Sequence, residues 1–218
     1  MKGIPQKLII FVKAPREGLV KTRLAASIGA PAAALAYRTL MKRLIDRLRE
    51  IPAVELRYAP DDALSEIQPW LQSAWTARPQ GDGDLGSRLD RAFAEAFAEH
   101  ADKVVVIGSD CPTVTARDIR QAWTGLSKHD LVLGPATDGG YWLIGLRKHA
   151  PRLFESIPWS TDTVFRETLK RAKETRLSLH HLRERKDIDT AQDWLAFAKA
   201  HGIPHAFAVN ASDDSPLR

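Results

Sequence analysis

Short apolar runs alternate along the chain with longer stretches in which apolar residues recur every three or four positions. Residues 8–12 are a run of the first kind and predict an opening strand. Across 31–49 the leucines at 35, 40, 44 and 48 fall near helical spacing. Val54–Ala59 predicts a second strand, 63–72 a helix, 75–78 a short third strand, and 85–100 a helix with Leu89, Phe93 and Phe97 on one face. In Lys103–Gly108, consecutive β-branched residues from Val104 to Ile107 predict a buried strand. Thr115 opens the next helix, and Asp118 completes a capping box with it. Residues 130–134 and 141–145 predict two strands about a turn, and 161–173 a helix. A final helix spans 190–200, with Thr190 and Asp193 as a second capping box. This alternation predicts an α/β fold of three layers, a mostly parallel Rossmann-like sheet between helices, with an antiparallel element near 130–145.

A chain of 218 residues that is 44% hydrophobic and 27% charged suits a soluble globular protein. One domain over 1–205 and a frayed polar tail over 206–218 are expected. No run approaches the ~18 apolar residues of a membrane span, and the apolar core at 8–12 is too short for a signal peptide. The single cysteine, Cys111, excludes an internal disulfide, and cytoplasmic residence is the expectation. The net charge of +5 comes from 32 basic and 27 acidic residues mixed along the chain. No basic tract, RNA-binding aromatic signature or Cys/His finger accompanies it, so no nucleic-acid partner is expected. A modest positive balance suits a polyphosphate pocket.

Several segments add chemistry to this frame. Asp110 follows the strand 103–108 through Gly108 and Ser109, at the sheet edge where open α/β folds bind ligands. A carboxylate there suits Mg²⁺ or Mn²⁺ carrying nucleotide phosphates, or else it caps a turn. The loop after the first strand places Lys13, Arg16, Lys21 and Arg23 around Gly18, able to wrap an anion or simply to be solvated. Gly81, Gly83 and Gly86 punctuate a segment with Leu85 and Arg88 that permits close approach of a flat ligand. The plain alternative is a turn with Asp84 as helix cap. Asp138, Gly139 and Gly140 precede Tyr141 and Trp142, as a hairpin or as a place to orient an acceptor. One of the two aromatics is expected in the core and the other in the cleft. Asp187 and Asp189 lie at i and i+2 before a helix, as metal partners for Asp110 or as helix caps. Cys111 has no identifiable activating His and reads as inert.

Taken in order, FVKAPREGLVKTRL, GDGDLGSRL, VVVIGSDCPTV, LGPATDGGYWLIGL, IPWSTDTVFRETL and DIDTAQDW resemble the bacterial glycosyltransferase-like proteins of the DUF2064 family, over roughly residues 8–200. The resemblance implies the GT-A fold of the nucleotide-diphospho-sugar transferases and a nucleotide bound by the N-terminal half. The family's K-x-P-x-x-G-x-x-K-T-R-L pattern falls on Lys13, Pro15, Gly18, Lys21, Thr22, Arg23 and Leu24, with Lys21 and Arg23 as candidates for the phosphates. Gly83, Leu85, Gly86, Arg88 and Ser109 join them as nucleotide-binding candidates. The superfamily's metal-binding aspartate falls on Asp110, in Ser-Asp-Cys-Pro rather than a D-x-D triplet. Asp138 and Asp189 remain as second carboxylates, with Asp189 set beside Asp110 as the metal pair. Asp110, Asp138 and Lys21 are the catalytic candidates. Gly139, Gly140, Tyr141 and Trp159 are placed on the acceptor side, with Ser160 or Thr161 as an alternative helix cap.

Three functions follow. The first is metal-dependent transfer of a sugar from a nucleotide sugar to a small-molecule acceptor, with Asp138 handling the acceptor. The second is nucleotidyl transfer from a nucleoside triphosphate, since loop 13–24 also resembles guanylyltransferases that act on phospholactate. The third is nucleotide binding without turnover. Superfamily resemblance puts the first ahead, and a homodimer is left open.

Overall fold

The computed structural model describes residues 6–203, so the tail expected at 206–218 lies outside the described residues. Its strands are β1 (Gln6–Lys13), β2 (Val54–Ala59), β3 (Thr76–Pro79), β4 (Lys103–Gly108), β5 (Leu131–Pro135), β6 (Tyr141–Leu146) and β7 (Leu179–His181). Its helices are α1 (Thr22–Ile28), α2 (Ala30–Leu48), α3 (Leu64–Ile67), α4 (Leu85–Ala98), α5 (Ala116–Gly125), α6 (Val164–Glu174) and α7 (Ala191–Ala200). The strands form one seven-stranded sheet in the order β3-β2-β1-β4-β6-β5-β7. Only β6 runs against its neighbours, which is the antiparallel element the sequence predicts.

Alternating side chains of the strands feed two cores. Leu8, Ile10 and Val12 pack with Tyr37, Met41 and Leu44 of α2 and with Ile119 and Trp123 of α5. Ile9 and Phe11 point the other way, to Leu89 and Phe93 of α4 and Leu169 of α6. A third cluster joins Leu24 of α1, Leu40 of α2 and Trp194 and Phe197 of α7. Both predicted capping boxes are formed, Thr115 with Asp118 and Thr190 with Asp193.

The departures from expectation have local causes. The predicted helix at 63–72 shrinks to α3 and a 3₁₀ turn at Gln68–Trp70, because Pro69 lacks an N–H and disfavours helical geometry before it. Thr22, Arg23 and Leu24 lie in a helix rather than in the basic loop. Gly29, at φ 84, breaks α1 from α2. Helix α6 begins at Val164 with Thr163 as cap, so neither Ser160 nor Thr161 is the cap. The Thr161 hydroxyl instead donates to the Pro158 carbonyl at 2.8 Å and ties the preceding turn.

The chain leaves β1 toward β2 and β3 on one side and reaches β4 on the other, so the order reverses between β1 and β4. A crevice opens outside the carboxyl ends of parallel strands at such a switch point.

Candidate functional site

A cleft of about 600 Å³ occupies that position, lined by residues following β1 and β4, by α4 and by the segment after β7. Lys21 dominates it. Its backbone is left-handed, φ 49 and ψ 46, a conformation uncommon for a residue with a side chain. This turns the ammonium inward until the side chain is only 2% exposed, 2.5 Å from Asp110 and 3.0 Å from Asp189. Burial opposes its charge, but the two carboxylates outweigh burial and hold its pKa above the ordinary lysine value. Lys13, Thr22 and Arg23 also line the cleft, and Arg23 reaches Asp189 at 3.9 Å. Arg16 does not join them, being held by Glu66 at 2.7 Å and Asp62 at 3.1 Å. Pro15 and Gly18 lie behind the wall. The Pro15 carbonyl accepts from Arg38, and Gly18 supplies a turn at φ 76.

Tyr37 lines the cleft as well, a residue that the sequence analysis did not single out. Its hydroxyl accepts from the Lys13 backbone N–H at 3.0 Å and donates to Ser109 Oγ at 3.1 Å. Burial raises its pKa, so it stays a neutral phenol. Ser109 Oγ therefore accepts from within and keeps its own proton for the cleft.

The carboxylates arrive on a strap formed by residues 182–189. Leu182 N–H donates to Leu133 O, Arg185 N–H to Pro135 O and Ile188 N–H to Asp110 O. The Arg185 guanidinium is buried, reaching Asp118 at 2.5 Å and Thr113 Oγ1 at 2.8 Å, and stacks on Trp142 at 5.2 Å. Asp187 and Asp189 are thereby set beside Asp110, and Asp138 lines the same cleft. Asp187 is mostly buried with Oδ1 unpartnered. Burial, then the charges of Asp110, Asp138 and Asp189, push its pKa up to about 7. Cys111 beside it is buried, its thiol raised to about 11 chiefly by burial.

Among the described residues, no three His, Cys, Asp or Glu side chains converge as a ready-made metal cage; the Lys21 ammonium stands between two of the candidates. The donor set nonetheless fits a hard divalent ion. A buried carboxylate oxygen without a partner, among three further carboxylates, is the environment that such an ion relieves.

The segment at 81–89 divides in two. Leu85 and Arg88 face the cleft, whereas the glycines serve the protein itself. Gly83 sits at φ 98 against Ser87, and the side chain of Asp84 caps α4 by accepting from the Ser87 N–H at 2.8 Å. A methyl group on Gly86 would overlap the Trp159 indole, and one on Gly139 would overlap the Asp162 backbone. Gly86 and Trp159, assigned from sequence to opposite substrates, thus pack on each other, and neither forms the cleft wall. Gly139 and Gly140 likewise lie off the wall: the Gly140 N–H donates to Asp138 Oδ1 and fixes that carboxylate. Tyr141 and Trp142 alternate between the two cores, and both border the cleft. Neither extends into it, since the Trp142 indole N–H donates to Arg183 O and the Tyr141 hydroxyl is buried beside Thr168. Gln80 and Ser160 line the cleft without having been singled out as site residues.

The chain matches the family described as "Uncharacterized protein conserved in bacteria (DUF2064)" over residues 46–161. It is 29% identical over 183 residues to 2-phospho-L-lactate guanylyltransferase of Methanothermobacter thermautotrophicus, covering 82% of this chain and 70% of that one. It is 30% identical over 147 residues to 3-phospho-D-glycerate guanylyltransferase of Phenylobacterium zucineum, covering 64% of this chain and 67% of that one. A crystal structure of a candidate nucleotide-diphospho-sugar transferase from Desulfovibrio desulfuricans G20 superposes with a TM-score of 0.83 at 32% identity, over 90% of this chain and 87% of that one. A manganese complex of a Mycobacterium tuberculosis protein shares the fold at a TM-score of 0.52 and 14% identity, over 89% of this chain and 99% of that one. No helix among the described residues is long and apolar enough to cross a membrane.

Proposed function

The chain belongs to the DUF2064 family of bacterial proteins, and we propose that it is a nucleotidyltransferase. In this reading it moves GMP from GTP to a small phosphorylated carboxylic acid and releases pyrophosphate. The observation that carries it is the charge layout of the cleft. Lys13, Lys21, Arg23 and Ser109 line the same cleft as Asp110, Asp187 and Asp189, with the Lys21 ammonium set between Asp110 and Asp189. A triphosphate needs both, cations for its oxygens and carboxylates for the divalent ion it carries. The choice of guanine and of a phosphorylated acid rests on the two guanylyltransferase relatives.

Asp110, Asp187 and Asp189 would hold Mg²⁺ or Mn²⁺, which supplies charge neutralisation at the phosphates when bound. An oxygen of the acceptor's phosphate attacks the α-phosphorus. The bond from that phosphorus to the α,β-bridging oxygen breaks, and its electron pair leaves with pyrophosphate. Lys21 and Arg23 stabilise the charge gathering on the phosphate oxygens, and the Ser109 proton adds a fixed donor. An ionised phosphate has no proton to surrender, so Asp138 acts by orienting the acceptor rather than as a base.

A sugar-nucleotide donor is the second reading, favoured by the Desulfovibrio neighbour. One assay separates them: the purified protein with Mn²⁺ or Mg²⁺ receives GTP, ATP, CTP or UTP together with 2-phospholactate or 3-phosphoglycerate. In parallel it receives UDP- and GDP-sugars with the same acceptors. Acceptor-dependent pyrophosphate release that is lost in Asp110→Ala is the expected result. Release of nucleoside diphosphate from a sugar nucleotide instead would move the assignment to glycosyl transfer. Metal-dependent nucleotide binding with no product from any pair would leave a binding protein.

A further inference from the structure

Arg88 lines the cleft from α4, and its guanidinium is fixed by hydrogen bonds rather than by an ion pair. Its Nε donates to the Gly83 carbonyl at 2.9 Å, and its Nη1 to Gln80 Oε1 at 3.1 Å. Both partners are uncharged oxygens. The nearby Asp84 carboxylate uses Oδ1 to accept from the N–H and hydroxyl of Ser87. Gln80 is itself held: it is 6% exposed, and its amide donates to Val12 O at 3.0 Å and to Arg57 O at 2.9 Å. The carboxamide is thus oriented by the backbones of β1 and β2, and its oxygen is presented to Arg88. What remains to Arg88 is Nη2 with both protons and one proton of Nη1, a planar fork of donors at a cleft-lining position. Beside it Leu85 is 41% exposed, an apolar surface at the cleft mouth that a flat ring would cover.

From this we infer that Arg88, set by Gln80, reads the base of the nucleotide and selects guanine. The inference rests on the guanylyl-transfer reading and adds the residue that makes the choice. A fork that only donates pairs with two adjacent acceptors. Guanine offers O6 and N7, whereas adenine sets an amino donor beside N7 and cannot satisfy both arms. Uracil presents its carbonyls on either side of an N–H. Cytosine has adjacent acceptors in O2 and N3, but a single ring covers less of Leu85. The expected order is GTP, then CTP, with ATP and UTP last.

The test is calorimetric binding of GTP, CTP, ATP and inorganic tripolyphosphate, each with Mn²⁺, to the full chain and to Arg88→Gln and Arg88→Lys. The parent chain should favour GTP over ATP by about 5- to 150-fold, the range that one bidentate base contact commands. Arg88→Lys keeps the charge but loses the fork, so its preference should vanish with tripolyphosphate binding unchanged. In Arg88→Gln the preference should vanish or turn toward ATP, because a carboxamide matches adenine N6 and N7. Variants that keep the parental GTP:ATP ratio overturn the inference and leave guanylyl transfer standing. Variants that lose tripolyphosphate in step with GTP overturn it too, and make Arg88 a phosphate ligand. A parent chain with no preference among the triphosphates overturns the guanylyl reading itself, and the assignment of Arg88 falls with it.

Discussion

Asp187 is a candidate-site residue whose surroundings act strongly on its charge. Its pKa stands near 7 in the folded chain, against 3.8 for an ordinary Asp. Between these values the folded state holds a proton that the unfolded state has lost, so stability falls as pH rises through this window and levels off above 7. The loss amounts to at most roughly 4 kcal/mol, at about 1.36 kcal/mol per pH unit. Asp187→Asn should therefore be more stable than the parent at pH 8 in the absence of metal, with the advantage shrinking toward pH 4. Urea unfolding across that range checks it, and a difference independent of pH would remove Asp187 from the carboxylate cluster. The same variant should bind Mn²⁺ more weakly. Tyr37 makes the opposite case, a polar group whose loss leaves others stranded. Tyr37→Phe deprives the Lys13 N–H of its acceptor and should cost about 1–3 kcal/mol in denaturant titration, along with nucleotide affinity. Asp110, Asp138 and Asp189 were legible in the sequence because each follows an apolar run or precedes a helix at a turn. Tyr37 and Gln80 were not. A tyrosine on the apolar face of a helix reads as core, and nothing local says that its hydroxyl reaches the end of β1 and Ser109 beyond β4.

The strap at 182–189 carries candidate site residues without being a regular element of structure, and Arg185 is what fastens it. Removing one partner of a buried charge pair strands the other, at a typical cost of about 3–5 kcal/mol. Arg185→Met should lose that much, since it leaves Asp118 with only the largely exposed Arg183 as a cationic partner. Manganese affinity should fall with it, because Asp187 and Asp189 ride on the strap. Denaturant midpoints and a Mn²⁺ titration read the two effects, and a variant with normal metal affinity would uncouple strap from site. Glycines allow a sharper comparison. Gly18 and Gly139 both have positive φ, at 76 and 86, but an added methyl at Gly18 meets open space and one at Gly139 meets the Asp162 backbone. Gly18→Ala should cost about 1–2 kcal/mol of backbone strain, and Gly139→Ala clearly more. Sequence reading saw Gly83 and Gly86 as room for a ligand, where Ser87 and Trp159 in fact approach, because a missing Cβ does not announce what approaches it. It also passed over α1, whose seven residues TRLAASI follow a cluster of charges that looks like loop. Strand β7, LHH, is too short to carry a period of two. Longer elements with steady periodicity, such as α2, β2 and β4, were legible nearly to the residue.

At the scale of the molecule, the sheet edge far from the strap is held by charge as well as by apolar contact. In β2, Glu55 and Arg57 alternate with apolar residues, yet α4 covers their face and the two are 1% and 2% exposed. Arg57 pairs with Glu55 and with Glu95, and Lys7 with Glu55 and Glu99. Such long-range matching of charges is invisible to any local window. The consequence concerns the cleft, which draws Lys13, Lys21 and Arg23 from the N-terminal half and Asp187 and Asp189 from the C-terminal strap. A ligand that engages both should tie the two parts of the fold together, stabilising the native state by mass action. At a free concentration of 100 times its Kd, that is about 2.7 kcal/mol. For a chain of this size each kcal/mol moves Tm by roughly 2–4 °C, so GTP with Mn²⁺ should raise Tm by roughly 5–10 °C, and either component alone by less. Asp110→Ala should abolish the joint increment, since Asp110 faces both the Lys21 ammonium and the strap carboxylates. A shift in the parent chain equal to the sum of the separate shifts would mean that metal and nucleotide occupy independent places, and the cleft would then not be their common site.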